Sequence, residues 1–174
     1  MRLTPARILS AAVVNARAAR EALDPNGEHE WRHVPTSRWV IHKVGANYYK
    51  FRNDALGCVD FDTPGVHAAG DTTEDGSAVP GGTAYAAIPY AAGTSTVNIF
   101  GHTAHGIDYM TDGTRLKRSN RSPHDAVADG LRGTAKPAGY TWHHHQTKGR
   151  MDLIKTTVHR AFAHRGGFSI WGKG

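Results

Sequence analysis

The sequence predicts an α+β fold whose C-terminal part is a strand–strand–helix unit. Two segments, YTWHHH (140–145) and RMDLI (150–154), have the apolar and aromatic composition of short strands. The intervening QTKG ends in Gly149, a residue that accepts the positive φ of a tight turn. The next segment, TTVHRAFAHRGG (156–167), predicts a short helix that begins near its threonines and ends at its glycine pair.

Two upstream regions predict further strands. Segments SRWVIHKV (37–44) and NYYKFR (47–52) alternate and are rich in aromatic residues, which indicates a hairpin around Gly45-Ala46. The stretch TSTVNIFG (94–101) alternates between apolar and polar residues, so it predicts a strand that stops at its final glycine.

A second helix and a long irregular region complete the expected elements. SPHDAVADGLRG (122–133) predicts a short helix with Ser122 at the N-cap, Pro123 at the first helical position and Gly130 near the end. Residues 57–93 are dominated by Gly, Pro, Thr, Asp and Ala, so we expect this region to be irregular and exposed.

The length of 174 residues suits one domain with its own core. We expect residues 1–55 to form an N-terminal helix followed by a linker or hairpin region, and residues 56–174 to form the main domain with the strand–strand–helix unit at 139–167. Cys58 is the single cysteine, which excludes an intrachain disulfide and predicts a small buried side chain. No apolar run reaches the ~20 residues of a membrane span, and no signal peptide is evident.

Positive charge is concentrated in the C-terminal third of the chain. The formal net charge is +6 and the sequence pI is about 9.7. No Lys or Arg occurs between residues 56 and 113, whereas twelve basic residues and three acidic ones follow residue 113. This distribution favours a polyanionic partner such as nucleic acid.

Five of the twelve histidines lie between residues 139 and 167. Imidazole suits Zn, Ni, Mn or Fe(II) better than Mg, so the cluster predicts a site for one divalent ion. His143 and His144 are adjacent on a strand and should point to opposite faces, which favours a division of labour between them. One would bind the ion, and the other would deprotonate a water molecule.

The two downstream histidines, His159 and His164, are five residues apart. This spacing places them about 140° apart around a helix, so both face one ion only if the helix is tight or ends at His164. Three interpretations stay open on these grounds alone: a catalytic metal site, a structural metal site, or a chance polar run.

These residues carry a resemblance to a known family. GYTWHH, the turn exit at Gly149, the following LI, His159 and HRGG resemble the WHH-motif nucleases of the HNH/endonuclease VII superfamily, found as C-terminal toxin domains of bacterial polymorphic toxins. The resemblance is specific over 139–167, weaker from about residue 59 to residue 120, and does not include residues 1–55.

The resemblance implies a ββα-metal (His-Me) finger with a loop-rich N-terminal extension. It implies that His143 is the first metal ligand, His144 the general base, and His159 and His164 the ligands on the helix, with Trp142 packed beneath. The asparagine of the HNH name has no counterpart here, because the second strand carries Leu153 in that region.

Other polar residues near this unit are weaker candidates. Arg150 is a candidate catalytic cation, because a positive charge near the ion would stabilise the transition state of phosphodiester cleavage. His145 is interpreted as a bystander within reach of phosphate, and His102 and His105 as candidate substrate contacts. The histidines elsewhere, including His124, are interpreted as surface or core residues.

The implied function is that of a metal-dependent endonuclease toxin with low sequence specificity, acting on DNA in preference to RNA. The implied cofactor is one divalent ion (Zn, Ni, Mn or Mg). An acidic immunity protein is the expected partner, and the cytoplasm of a target bacterial cell, reached after export, is the expected site of action. The alternatives are an RNase toxin on the same finger and a non-enzymatic, zinc-stabilised nucleic-acid-binding module.

Overall fold

A computed structural model of the chain describes residues 38–53, 59–61, 70–116, 121–162, 164, 166–169 and 171. The predicted N-terminal helix and Cys58 lie outside these residues.

The first described element is the predicted hairpin. Strand β1 (Arg38–Val44) pairs antiparallel with β2 (Asn47–Asn53), and Val44 faces Asn47 across the turn. The short strand β3 (Val59–Asp60) adds to β2, which completes a three-stranded sheet in the order β1-β2-β3. The hairpin around residues 45 and 46 is therefore confirmed.

This hairpin shares a core with the rest of the protein. Alternation along β2 buries Tyr49 and Phe51, which pack with Val158 and Phe162 from the C-terminal part of the chain. Strands β2 and β3 also pair across the boundary that was predicted between residues 55 and 56. The hairpin and β3 are therefore parts of one sheet.

A second sheet contains the predicted C-terminal strands. Strands β4 (Thr96–Asn98), β7 (Tyr140–His144) and β8 (Arg150–Lys155) form an antiparallel sheet in the order β4-β8-β7. In the β7–β8 register, Trp142 pairs with Leu153 and His143 pairs with Asp152. The turn between these strands has Gly149 at φ +76°, as predicted.

The prediction that the strand at 94–101 stops at Gly101 is wrong. The chain passes through Gly101 as part of β5 (Phe100–Ala104), which pairs with β6 (Ile107–Met110) with a register shift between Phe100 and His102. Glycine inside a strand commonly marks such a bulge. The hairpin turn has positive φ at His105 and Gly106, a pattern typical of two-residue hairpin loops.

Both predicted helices are present, with different ends. Helix α1 (Ser122–Arg132) has Arg121 at its N-cap and passes through Gly130. It ends at Gly133, whose φ of +84° and backbone N–H bonds to Asp129 and Gly130 close the last turn. Ser122 is therefore inside the helix and not its cap.

Helix α2 (Thr156–Ala161) is shorter than predicted. It follows β8 directly, with Lys155 at its N-cap and no side-chain cap from a threonine. Phe162 adopts extended backbone and is buried among Phe51 and Phe61, so packing ends the helix before the glycine pair. His164 consequently lies outside the helix.

The described part of the long loop, residues 70–93, is largely irregular, as predicted, but not uniformly exposed. Val79 and Ala91 are buried. The carboxylate of Asp71 pairs with Lys50 Nζ at 2.8 Å and accepts a hydrogen bond from the Tyr85 hydroxyl at 2.7 Å. These contacts fix the loop to β2.

The two faces of the β4-β8-β7 sheet cover different parts of the core. Trp142, Met151 and Leu153 pack on one face with Ala128 of α1, which confirms the predicted core position of Trp142. Ile154 packs on the other face with the aromatic cluster around Phe51. Alternation therefore places His144 on the α1 side and His143 on the side of α2.

Replacing Gly149 with alanine should destabilise the fold more than the same change at Gly113. Both residues have positive φ, but a Cβ at Gly149 would lie 2.3 Å from Phe100 Cβ, whereas one at Gly113 meets nothing within 4 Å. The backbone strain costs about 1–2 kcal/mol at either site, and overpacking adds about 1–3 kcal/mol at Gly149 alone. Urea unfolding of both variants measures the difference, and equal losses would contradict the role of the close contact.

Candidate active site

Three of the predicted histidines converge on one point. His143 Nδ1 lies 3.3 Å from His159 Nε2 and 3.2 Å from His164 Nε2. All three ring nitrogens lie within 4.8 Å of one another. Strand β7, helix α2 and the segment after α2 each contribute one of these side chains.

In this histidine triad (His143, His159 and His164), hydrogen bonds among the rings cannot provide a partner for every facing nitrogen. A ring nitrogen carries either one proton or one lone pair, so His143 Nδ1 cannot form full hydrogen bonds to both neighbours. Two imidazoles on a tetrahedral ion at 2.0–2.1 Å would have nitrogens roughly 3.3 Å apart, a separation that the two measured distances match. The donor set and its spacing therefore fit a divalent cation.

The position of His164 depends on the chain that leaves α2. The His164 Nδ1–H donates to the Phe162 carbonyl at 2.9 Å, which leaves the lone pair on Nε2 toward the triad. Gly166 and Gly167 then pass so close to the end of β7 that a Cβ on Gly167 would lie 1.7 Å from the His145 carbonyl oxygen. The glycine pair is needed for this close approach.

An aromatic wall supports the triad from behind. Phe61 is 1% exposed, and its ring centroid lies 4.7 Å from that of His143 and 5.9 Å from that of His164. It also stacks on His159 with centroids 6.2 Å apart. Phe61 thus restricts all three rings and excludes water from that side.

Burial keeps the clustered histidines neutral. It is the main cause that lowers the pKa of His159 to about 3 and the pKa of His143 well below its usual range, and the neighbouring imidazoles add to both shifts. Burial also lowers the pKa of His164, against a backbone hydrogen bond that raises it. Neutral imidazole is the form that binds a metal ion.

His144 lies beside the triad but outside it. Its Nε2 is 3.0 Å from Nδ1 of His124 on α1, and burial together with His124 lowers the pKa of His144 to about 3. His144 nevertheless lines the same cavity of about 230 Å³ as the triad. The predicted separation of His143 and His144 onto different faces is therefore observed, and both side chains reach one cavity where β7 ends.

Two arginines line this cavity, and neither is the predicted Arg150. Arg121, just before α1, and Arg160 on α2 contribute to the lining, and Arg121 stacks on Phe168 at 4.9 Å. Arg150 Nε instead lies 3.0 Å from Oδ1 of the fully buried Asp152. The structure thus gives Arg150 an ion-pair partner in the sheet and does not place it in the cavity lining.

The other histidine candidates also lie outside the cavity lining. His145 is 4% exposed; its Nδ1 accepts the Thr147 N–H, and its carbonyl accepts the Trp171 indole N–H at 2.6 Å. These contacts give His145 a structural role in the fold, and its interpretation as a bystander within reach of phosphate stays a prediction. His102 stacks on Tyr109 in the β5–β6 hairpin, and His105 occupies the hairpin turn.

Sequence reasoning did not single out four residues of this site. Phe61, Arg121 and Arg160 had no distinguishing pattern, and His124 was interpreted as an ordinary surface or core residue. His124 is 1% exposed, so the core interpretation was correct, but its contact with His144 depends on how α1 packs on β7.

Comparison with known proteins shows a similarity for the C-terminal segment that contributes the histidine triad. Together, the strand–strand–helix order and the four clustered histidines define a small α+β domain with a histidine-rich centre. Residues 132–174, about a quarter of the chain, match the model of a family described as a nuclease of the HNH/ENDO VII superfamily with conserved WHH. This C-terminal segment is therefore similar to the WHH nucleases, in agreement with the predicted resemblance. Searches of curated proteins and of solved structures give no match.

Within the described ranges, neither helix has the length and apolar character needed to cross a bilayer.

The metal-free protein should lose stability as the pH falls below about 6.5. In the unfolded chain His144 and His159 take up protons near pH 6.5, whereas in the folded protein they do so only near pH 3. The unfolded state thus binds more protons between these values, and each residue removes about 1.4 kcal/mol of stability per pH unit. Urea unfolding in EDTA from pH 8 to pH 5 measures the slope, and His144→Asn should reduce it. A flat profile would show that these rings are not buried as neutral groups.

Proposed function

We propose that the protein is a metal-dependent endonuclease in which His143, His159 and His164 hold one divalent ion. The observation that carries this proposal is the convergence of three imidazole nitrogens, two of which lie 3.2 and 3.3 Å from His143 Nδ1, next to a fourth histidine that lines the same cavity. The β7–β8–α2 unit then functions as a ββα-metal finger. The WHH nuclease match of the same segment supports this proposal.

The donor set favours Zn, Ni or Mn over Mg as the ion. Three nitrogen ligands suit the softer ions, whereas Mg prefers oxygen. Lewis-acid activation of a phosphate oxygen is the chemistry that a divalent ion would supply here. The buried Phe61 ring and the His164–Phe162 hydrogen bond keep the three ligands preorganised.

His144 is the proposed general base. It lines the cavity without belonging to the triad, so its free ring nitrogen can accept the proton of an attacking water. Burial keeps the ring neutral at physiological pH, since its pKa is about 3. A low pKa also makes His144 a weak base. The negative charge of a bound substrate would raise that pKa, because it favours the imidazolium form.

Arg121 and Arg160 are the proposed phosphate-binding groups. Both line the cavity, and Arg121 contributes to the lowered pKa of His144, His159 and His164 through its positive charge. A planar guanidinium group can donate two parallel hydrogen bonds to one phosphate, and its charge stabilises the negative charge that develops during cleavage. They take the role that sequence reasoning gave to Arg150.

The proposed substrate is DNA, and RNA is the alternative. A base that activates water does not need the 2′-hydroxyl of RNA as a nucleophile, so DNA is sufficient for this chemistry. Contacts through arginine to phosphate carry no sequence information, which predicts weak sequence specificity. Incubating the protein with plasmid and with total RNA, each with single divalent ions or EDTA, distinguishes the two substrates.

The proposed biological role is that of a toxin acting in the cytoplasm of a target bacterial cell after export. The resemblance to polymorphic-toxin domains and the excess of basic residues after residue 113 support this role. An acidic immunity protein would match that surface and associate quickly with it.

Replacing each triad histidine with alanine should lower metal content and melting temperature together, because metal affinity adds to folding free energy. His144→Ala should keep bound metal and lose cleavage by roughly 10²- to 10⁴-fold, the usual contribution of a positioned base. Metal analysis, a thermal melt and plasmid nicking on the four variants measure these effects.

Expression of the wild type should arrest bacterial growth, whereas His144→Ala should be tolerated.

The control for this series is His102→Ala, a change at an exposed hairpin histidine outside the cavity lining. If His144→Ala loses metal as readily as His143→Ala, the roles are assigned wrongly. If the wild type binds zinc and nucleic acid but cuts neither substrate with any ion, the zinc-stabilised binding module is the better description.

Arg121→Gln and Arg150→Gln should have opposite effects. Arg121→Gln should lower cleavage on the order of 10²-fold with an unchanged melting temperature, because it removes a cation beside the reacting phosphate. Arg150→Gln should keep cleavage and lose about 3 kcal/mol of stability, because it removes the guanidinium charge that lies 3.0 Å from the fully buried Asp152 carboxylate. Nicking assays and urea unfolding test both variants. The reverse pattern would restore Arg150 as the catalytic cation.

A further inference from the structure

We propose that His124 is a positioning residue that fixes the tautomer and the orientation of His144. This inference rests on the proposed role of His144 as the general base. It assigns a function to a helix that lies upstream of the WHH nuclease segment at 132–174.

The contact between the two rings is direct and buried. His124 Nδ1 lies 3.0 Å from His144 Nε2, and the two residues are 1% and 5% exposed. Their ring planes are tilted by 52° with centroids 5.2 Å apart, so the contact is a nitrogen-to-nitrogen hydrogen bond and not a stacked pair.

The surroundings hold this pair in place. Phe168 and Trp171 pack against both rings, with centroid distances between 5.0 and 6.0 Å. Helix α1 is itself fixed on β7, because the Trp142 indole N–H donates to Asp129 Oδ1 at 2.8 Å. A side chain held by two aromatic residues and an anchored helix has little freedom to reorient.

One proton lies between the two facing nitrogens, and its position decides which form of His144 is present. When His144 Nε2–H donates to His124 Nδ1, the lone pair of His144 is on Nδ1, and that nitrogen can take a proton from water. When His124 Nδ1–H is the donor instead, neutral His144 carries its own proton on Nδ1 and cannot act as a base there. The productive arrangement thus requires His124 to be the acceptor, with its proton on Nε2.

The same hydrogen bond serves the protonated state of His144. After proton transfer from water to His144 Nδ1, the Nε2–H still donates to His124 Nδ1, and the charge on the acceptor side of the pair is unchanged. No side chain has to move during this step. His124 therefore supports His144 much as a hydrogen-bonded partner orients a metal-bound or catalytic imidazole in other enzymes.

Two substitutions separate positioning from packing. His124→Asn places an amide oxygen close to the position of Nδ1 and keeps an acceptor for His144, whereas His124→Leu fills space without one. Loss of an orienting partner typically costs 10- to 100-fold, so we expect His124→Leu to lower kcat by that factor with KM little changed. His124→Asn should recover most of that loss. His105→Asn, in the exposed hairpin turn, is the matched control, because asparagine tolerates its positive φ.

A spectroscopic measurement tests the inference without any cleavage assay. Nitrogen-15 NMR of the imidazole rings, on the full chain with and without added zinc, reports which nitrogen of His144 carries the proton. The expected result is protonated Nε2 in the wild type and in His124→Asn, and a changed or mixed tautomer in His124→Leu. Zinc content should equal that of the wild type in both variants.

The inference is overturned if the wild-type His144 carries its proton on Nδ1, a result that needs no variant and does not depend on variant folding. It is also overturned if His124→Leu cuts at the wild-type rate, or if His124→Asn and His124→Leu lose kcat equally. Failure of the proposed function looks different: the wild type would cut no substrate with any ion, while the NMR measurement would still decide the His124–His144 pairing.

Discussion

The candidate site depends on three imidazole nitrogens that face one another, one on a buried ring and two on half-buried rings. Such a group is unfavourable without a cation, because the nitrogens lose contact with water. In addition, His143 Nδ1 cannot form hydrogen bonds to both of its neighbours. Packing and hydrogen bonds nevertheless hold these rings in place. Phe61 covers the back of the triad, and the Phe162 carbonyl orients His164. The chain returns at Gly166 and Gly167 close to the end of β7, beside His164.

Strand alternation explains how neighbouring residues obtain different surroundings. His143 faces the aromatic cluster around Phe61, whereas His144 faces α1 and contacts His124. Because β7 ends at His144, both side chains still reach one cavity. A one-residue shift in the β7–β8 register would exchange their surroundings, so the pairing of Trp142 with Leu153 on the core face also maintains the chemistry.

Local patterns predicted most strands and both described helices, but not β3, the β5–β6 hairpin or the packing between elements. The hairpin at residues 38–53 and the strands β7 and β8 follow from alternation and turn residues, which act over a few positions. The early end of α2 could not be predicted, because packing of Phe162 against Phe51 ends the helix, and that contact joins distant parts of the chain. The positions of Arg121 and His124 beside the cavity depend on the packing of α1 for the same reason. The convergence of the triad was expected, whereas Arg150 forms an ion pair with Asp152 in the sheet and does not line the cavity.

The three-stranded sheet connects the hairpin at residues 38–53 with the histidine triad. Phe51 of the hairpin contacts Phe61, which contacts the triad, so the centre is linked by two rings to a segment about ninety residues earlier in the chain. Contacts of such high sequence separation form late in folding, because the loop between them must close first. Binding of an ion to the triad would therefore stabilise the folded protein relative to partly folded forms. Local unfolding, and with it proteolysis, would then become rarer even in segments far from the triad.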